Sequence, residues 1–295
     1  NKSSIDRGLG RSFYFNPYDA TELRYSGGLI DTIGVPDKEV KGYKSEHDYR
    51  HLEEDGIVSV ESQVGEGDVL IGRVSPPRFL SGMDEYNLTT NIHRDSSITV
   101  GPIEKSSVDF VLLTENEEGN KMVKVRLREQ RIPEVGDKFT SRHGQKGVIG
   151  LVVPQTDMPF TGSGVIPDIC FSPNGIPSRM TVAHLMELIS GKVGALEGRK
   201  IDGTPFASES MDPLRDALTQ TGMHESGKEV MYNGVTGEMH EARIFVGNMY
   251  YMKLKHMVAN KLHSRALGPI QLLTRQPTEG RAKEGGLRLG EMEKD

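Results

Sequence analysis

Residues 123–128 read Val-Lys-Val-Arg-Leu-Arg, and this strict alternation constrains the fold more than any other stretch. A period of two belongs to a β-strand with one face buried; a helix would scatter the same residues around its axis. The pattern turns Lys124, Arg126 and Arg128 outward. The apolar run 107–113 comes just before it. Between the two lies Glu115-Asn116-Glu117-Glu118-Gly119-Asn120, which has turn chemistry, so the pair predicts a hairpin. A second hairpin is expected upstream, where 56–60 and 68–74 flank Gly65-Glu66-Gly67. Residues 55–131 therefore predict a β-rich module.

A glycine-rich basic segment follows Pro133. Residues 136–150 read Gly-Asp-Lys-Phe-Thr-Ser-Arg-His-Gly-Gln-Lys-Gly-Val-Ile-Gly. Glycine lets the backbone turn sharply and brings main-chain N–H groups close to an anion. Lys138 and Lys146 add mobile point charges that reach phosphate oxygens. The order Lys146-Gly147-Val148 does not match a nucleotide P-loop. A dinucleotide-binding turn needs a helix after the glycines, and here the apolar run 148–153 predicts a buried strand. Two readings stay open: a polyanion cradle, or a surface hairpin whose bases are merely solvated.

Charge divides the chain. The net charge is −6, from 36 Lys+Arg against 42 Asp+Glu. Residues 1–120 hold 12 basic and 22 acidic residues (−10), and residues 121–295 hold 24 and 20 (+4). Two ordinary solvated surfaces would explain this, as would a solvent-facing module joined to a polyanion-binding one. The single cysteine, Cys170, excludes an internal disulfide and a cysteine-based zinc site, and its apolar neighbours predict a core position. The histidines form no metal set: His256 and His263 lie seven apart without a third ligand at useful spacing. No Asp triad suited to Mg²⁺ is present. No apolar run reaches the length of a membrane span, and no signal peptide is visible. The opening at Asn1 and the end at Asp295 read as those of a piece of a longer, cytosolic protein.

The second half predicts helices. Ser178 is expected to cap one whose apolar positions are Val182, Leu185, Met186, Leu188 and Ile189. That places Arg179 in a first turn, an unfavourable position for a cation unless a phosphate or a carboxylate is near. Asp212-Pro213 reads as another helix start and Gly222 as its stop. Residues 232–237 read as a hairpin turn, and 250–264 as an amphipathic stretch with Leu254, Met257, Val258 and Leu262 on its apolar side. Lys253, Lys255, Lys261, Arg265, Arg275, Arg281, Lys283 and Arg288 form a dispersed basic stripe. Such a stripe suits a phosphate backbone, although a charge run alone is more often a solvated face. Residues 274–288 hold too little apolar surface to order without neighbouring segments or a partner.

Four segments also carry a resemblance: 1–8 (Asn-Lys-Ser-Ser-Ile-Asp-Arg-Gly), 136–147, 176–181 (Ile-Pro-Ser-Arg-Met-Thr), and 273–281 (Leu-Thr-Arg-Gln-Pro-Thr-Glu-Gly-Arg) through Gly290-Glu291-Met292-Glu293. In this order they resemble the second-largest (β-like) subunit of multisubunit DNA-dependent RNA polymerase, archaeal most of all. The resemblance implies a mixed α+β, β-rich fold: a hybrid-binding region with a double-psi β-barrel, interrupted by a β-rich wall (flap) module. The segments would be 1–12 and 133–288 for the hybrid-binding region, 13–132 for the wall, and 289–295 for the start of an anchor. It implies that Lys138 and Lys146 lie near the RNA 3′ end and the incoming nucleotide, and that Arg179 meets the nucleoside triphosphate. Nucleic-acid contacts would come from Arg142, His143, Gln145, Lys255, Lys261, His263, Arg265, Arg275, Gln276, Arg281 and Lys283. The Mg²⁺ would sit on the largest subunit, so this chain alone would be inactive. Expected partners are that subunit, the other polymerase subunits, the DNA template, the RNA–DNA hybrid and NTPs, with no membrane. The compartment would be the cytoplasm of an archaeon, or the nucleus of a eukaryote. An acidic pair before Asn1 and a zinc-binding clamp segment fall outside the chain. Leu289 replaces the family's usual Phe, and Leu267 stands where a base is common. Rival functions are a non-catalytic nucleic-acid-binding barrel and a scaffold for subunit assembly.

Overall fold

A computed structural model describes residues 1–25, 28–76, 93–101 and 105–295. The remaining part of the expected wall segment lies outside the described residues. The chain is mixed and strand-rich. It divides into two compact units, residues 11–132 and residues 1–10 with 133–295.

In the unit 11–132, the alternating segment becomes the strand Lys121–Arg131 at the heart of a four-stranded antiparallel sheet. Ser106–Glu115 pairs on one side of it, with a bulge between Val108 and Phe110, and Ser12–Thr21 pairs on the other. Val123, Val125 and Leu127 are at most 1% exposed and pack with Val58, Val64, Leu70, Ile71 and Val108. Each such side chain contributes about 1.5–3 kcal/mol on leaving water. On the opposite face, Arg126 lies 5.1 Å from the Phe15 ring centroid and 5.6 Å from that of Phe110. It also pairs with Asp109 at 2.6 Å. The strand Ser12–Thr21 was not expected from the sequence. Its Phe13, Tyr14 and Phe15 are exposed, so it lacks the alternation that betrays a half-buried strand, and Pro17 is tolerated because the strand is an edge. The upstream hairpin forms as expected: Ile57 bridges Ile71 and the Val58 N–H donates to the Leu70 carbonyl at 3.0 Å.

Three glycines meet beside that hairpin. The Gly34 N–H donates to the Gly72 carbonyl at 3.0 Å, and the Gly72 N–H to the Gly56 carbonyl at 2.8 Å. Gly56 sits at φ +78°, a conformation that only glycine adopts freely.

In the other unit, Lys138–Ser141 pairs with Gly147–Val148 and with Tyr251–Lys253 in a three-stranded antiparallel sheet. The helix Val182–Glu197 packs on Met211–Gln220 through Val193, Leu214 and Leu218. Several expectations are corrected here. Ser178 does not cap the long helix. It lies inside a separate five-residue helix, Gly175–Arg179, where its hydroxyl donates to the Asn174 carbonyl, and Met180 at φ +54° breaks the chain before the long helix begins. Arg179 thus ends a helix, where the partial negative charge of free carbonyls suits a cation. The buried stripe of the long helix is His184, Leu188, Lys192 and Val193, while Val182 and Met186 are exposed. The next helix starts at Met211 after Ser210, so Pro213 occupies its third position.

Residues 250–264 form no long helix. Tyr251–Lys253 is drawn into the sheet, where the Lys253 ammonium reaches the buried Asp137 carboxylate at 3.3 Å. The expected buried strand 148–153 is a strand only at Gly147–Val148, and Val148 and Leu151 are 66% and 75% exposed. Cys170 is exposed rather than in the core, because its neighbours run along an open cleft.

Candidate nucleic-acid interface

The basic hairpin is fixed by its strands. Lys138 sits opposite Val148, and its carbonyl accepts the Leu254 N–H at 2.8 Å. Asp137, buried beside it, accepts the Val258 N–H at 3.0 Å and so ties residue 258 to the base of the hairpin.

Lys138 and Lys146 do not open into one cavity. Lys146 lines a cleft of about 800 Å³ together with Arg179, His184, Phe171, Leu151 and Tyr251. Lys138 lines a separate depression of about 300 Å³, shared with His256, Lys261, Met257, Val258 and Leu262. Only Val148 belongs to both linings. Among the described residues, neither lysine is held by a carboxylate.

Arg142 and His143, at the hairpin tip, are held within the chain. Both bind the Glu187 carboxylate, which also accepts the Tyr250 N–H at 3.1 Å, and Arg142 lies 5.2 Å from the Tyr250 ring centroid. Burial works against the charge on Glu187. The hydrogen bonds from Arg142, Tyr250 and His143 outweigh it and hold the carboxyl below its usual range. Gln145 is buried: its amide donates to the Gly175 carbonyl at 2.9 Å and to the Thr181 hydroxyl, and its oxygen accepts from Arg179 at 2.6 Å. This amide orients the guanidinium at the rim of the larger cleft.

The C-terminal bases divide in the same way. His263 donates to the Gly285 carbonyl at 2.6 Å, Arg265 to those of Glu284 and Pro269 at 2.7 and 3.0 Å, and Arg281 to that of Ala259 at 2.8 Å. His263 and Arg265 bind the backbone of the glycine-rich end, and Arg281 ties that end back to residue 259. Lys255, Lys261, Arg275, Gln276 and Lys283 are exposed. Glu187 and Asp137 organise the hairpin, yet nothing in the sequence marked them, because their partners are 44 and 121 residues away.

His184 is 1% exposed, with its Nε2 unpaired and its Nδ1 3.5 Å from the Ser141 hydroxyl. Burial lowers its pKa, His143 lowers it further, and Glu187 acts the other way. The folded state thus favours neutral His184, whereas the unfolded chain takes up a proton near pH 6.5. The stability this contributes is complete above about pH 6.5 and falls as pH drops toward the lower folded value. Thermal melting should therefore show a loss as the pH is lowered through about 6.5 that His184→Asn reduces. Equal pH slopes for both proteins would refute it.

A family model described as RNA polymerase Rpb2, domain 6, matches residues 1–283. The chain belongs to this family. Over its whole length, this Rpb2 domain 6 chain is 53% identical to DNA-directed RNA polymerase subunit Rpo2 of Saccharolobus solfataricus, covering 26% of that protein. It is 44% identical to DNA-directed RNA polymerase II subunit RPB2 of Encephalitozoon cuniculi, again covering 26%. DNA-directed RNA polymerase II subunit 2 of Arabidopsis thaliana is 46% identical, with 25% covered. The chain thus spans about a quarter of the length of the curated relatives it matches. Among the described residues, no helix of this Rpb2 domain 6 chain is long and apolar enough to cross a membrane. Among the same described residues, no group of three or more His, Cys, Asp or Glu side chains is placed to hold a metal ion.

Proposed function

We propose that this chain is part of the second-largest subunit of a DNA-dependent RNA polymerase and holds phosphates of the RNA–DNA hybrid and of the incoming nucleotide. Family membership supports the polymerase assignment, and the carboxylate-free cluster of Lys138 and Lys261 carries the phosphate-holding role. On this reading the strands of residues 133–288 contribute to a double-psi barrel, and residues 13–132 form the wall. The higher identity to the archaeal relative favours an archaeal cytoplasmic enzyme.

Lys138 faces RNA phosphates near the 3′ end. Lys146 and Arg179, on the other depression, face the triphosphate. Their charges neutralise phosphate oxygens and hold them for in-line attack, which is catalysis by positioning and electrostatic stabilisation. Lys255, Lys261, Arg275, Gln276 and Lys283 are exposed for backbone contacts with the hybrid. Arg142, His143, Gln145, His263, Arg265 and Arg281 act chiefly by shaping the surface. On this reading the Mg²⁺ is held by the largest subunit.

Reconstitution with the partner subunits tests this. Lys138→Ala and Lys146→Ala should each slow single-nucleotide addition by about 100-fold, the size typical of losing one preorganised charge contact, while assembly persists. Normal addition by both variants would refute the role. Loss of assembly alone would favour a scaffold, a reading that the exposed Val148 and Leu151 along the larger cleft also support.

A further inference from the structure

Two arginines around the basic hairpin are fixed in different ways. Arg142 is bound by the Glu187 carboxylate, which offsets its charge. Arg179 is bound by an amide: its Nη1 donates to the Gln145 Oε1 at 2.6 Å, and among the described residues no carboxylate pairs with it. A carboxylate grips a guanidinium harder, because both partners are charged. A neutral amide directs the guanidinium and leaves its full charge for a ligand. The amide is itself held from behind. Its nitrogen donates to the Gly175 carbonyl at 2.9 Å and to the Thr181 hydroxyl, so it reaches both ends of the short helix that carries Arg179. A guanidinium only donates and a main-chain carbonyl only accepts, so a single orientation of the amide serves both. Gln145 is 6% exposed, whereas Arg179 and Lys146 are exposed at the larger cleft. The hairpin tip separates the two neighbours. Gly144 sits at φ +73°, and the Lys146 N–H donates to the Gly144 carbonyl at 2.9 Å, a tight turn with residue 145 inside and residue 146 at the surface.

We propose that Gln145 is a positioning residue for the substrate triphosphate: its neutral amide fixes the direction of Arg179 without cancelling the charge, and ties that guanidinium to the hairpin that carries Lys146. This rests on the reading above that Arg179 and Lys146 face the triphosphate. Gln145 acts through Arg179 and touches no substrate itself. A long guanidinium side chain left free samples many rotamers, and a phosphate that binds it must bear the cost of ordering it. The bond to Gln145 meets that cost in advance. It occupies one edge of the guanidinium, and the remaining N–H groups stay available to phosphate oxygens. The same chemistry says what position 145 cannot hold. A glutamate there would pair with Arg179, offset its charge and set a carboxylate against the incoming phosphates. The position needs a side chain that accepts from a guanidinium and donates to a carbonyl while carrying no charge, and at this length glutamine is the one that does.

The test measures single-nucleotide addition against NTP concentration, using polymerase reconstituted with the full-length subunit. Gln145→Ala should raise KM for NTP by about tenfold, the size of losing one charge-assisted hydrogen bond, while the maximal rate falls much less. Gln145→Glu should raise KM further than alanine does, because it also offsets the charge of Arg179. It keeps the shape of the parent side chain, so it decides the matter even where alanine weakens assembly. In an Arg179→Ala background, Gln145→Ala should add little, because the residue through which it acts is gone. A purely structural role would instead add its full effect there. An unchanged KM for Gln145→Ala, a Gln145→Glu enzyme equal to the parent, or full additivity with Arg179→Ala overturns the proposal. Arg179→Ala alone reports on the underlying reading: it should raise KM for NTP by itself. If it does not, the triphosphate role of Arg179 fails, whatever Gln145 shows.

Discussion

Gly72→Ala is expected to prevent the unit of residues 11–132 from folding. A Cβ at position 72 would lie 2.3 Å from the Gly34 carbonyl oxygen and 3.1 Å from its carbon. Both are backbone atoms, so no rotamer change relieves the contact. Gly34 cannot retreat, because its N–H is bonded to the Gly72 carbonyl at 3.0 Å. Neighbouring Ile71 is fully buried, which closes the other direction of escape. The cost should exceed about 4 kcal/mol, most of the stability of a typical domain. Gly56→Ala should act alike: its Cβ would lie 2.4 Å from Gly34 backbone atoms, and its φ of +78° adds strain. Gly119→Ala is the control. It also has positive φ but meets no atom within 4 Å, so it should cost only about 1 kcal/mol. Limited proteolysis and denaturant melts of the three variants decide the matter. A Gly72→Ala protein with parental stability would show that the close backbone approach is wrong.

Lys192→Met should destabilise the unit containing residues 133–295 by about 3 kcal/mol. Lys192 projects from the buried stripe of the long helix with only 9% of its side chain exposed. Its ammonium binds the Glu229 carboxylate and the carbonyls of Val246 at 3.2 Å and Gly227 at 3.4 Å. Removing the cation leaves a largely buried carboxylate and two carbonyls without their donor. The expected loss is at the lower end for a broken buried pair, because Glu229 keeps 20% of its side chain exposed. The pair as a whole is a different matter: desolvation nearly cancels its attraction. Lys192→Met combined with Glu229→Leu should therefore recover most of the single-variant loss. A double variant as unstable as the sum of the two single ones would mean that the residues are not coupled.

Recognition of the elements from sequence followed how local their signals are. The strand Lys121–Arg131 was legible because one face is core and the other carries charges paired on the sheet surface. Val182–Glu197 was legible as a helix, but its buried face only in part, through Leu188 and Ile189. Hydrophobicity pointed to Val182 and Met186, whereas packing buried His184 and Lys192, whose polar atoms find partners far along the chain or remain enclosed. The segment 250–264 misled for a related reason. Its spacing suits a helix, yet backbone pairing of Tyr251–Lys253 with Lys138–Ser141 and the Lys253–Asp137 ion pair favour a strand. In the candidate site, the lysines stood out as a cluster in one glycine-rich run. Their division between two depressions did not, because it depends on which side of a strand pair each one leaves.

By itself, the sequence determined the family, the strand-rich character, the split between acidic and basic halves, and the cations available for phosphates. These are properties of residue type and spacing, which neighbours along the chain already express. Only the tertiary structure decided which cations stay open to a ligand and which are tied to Glu187, Asp137 or backbone carbonyls. That choice depends on distances between residues far apart in the chain, where a few ångströms separate a free ammonium from a paired one, and no local pattern encodes it.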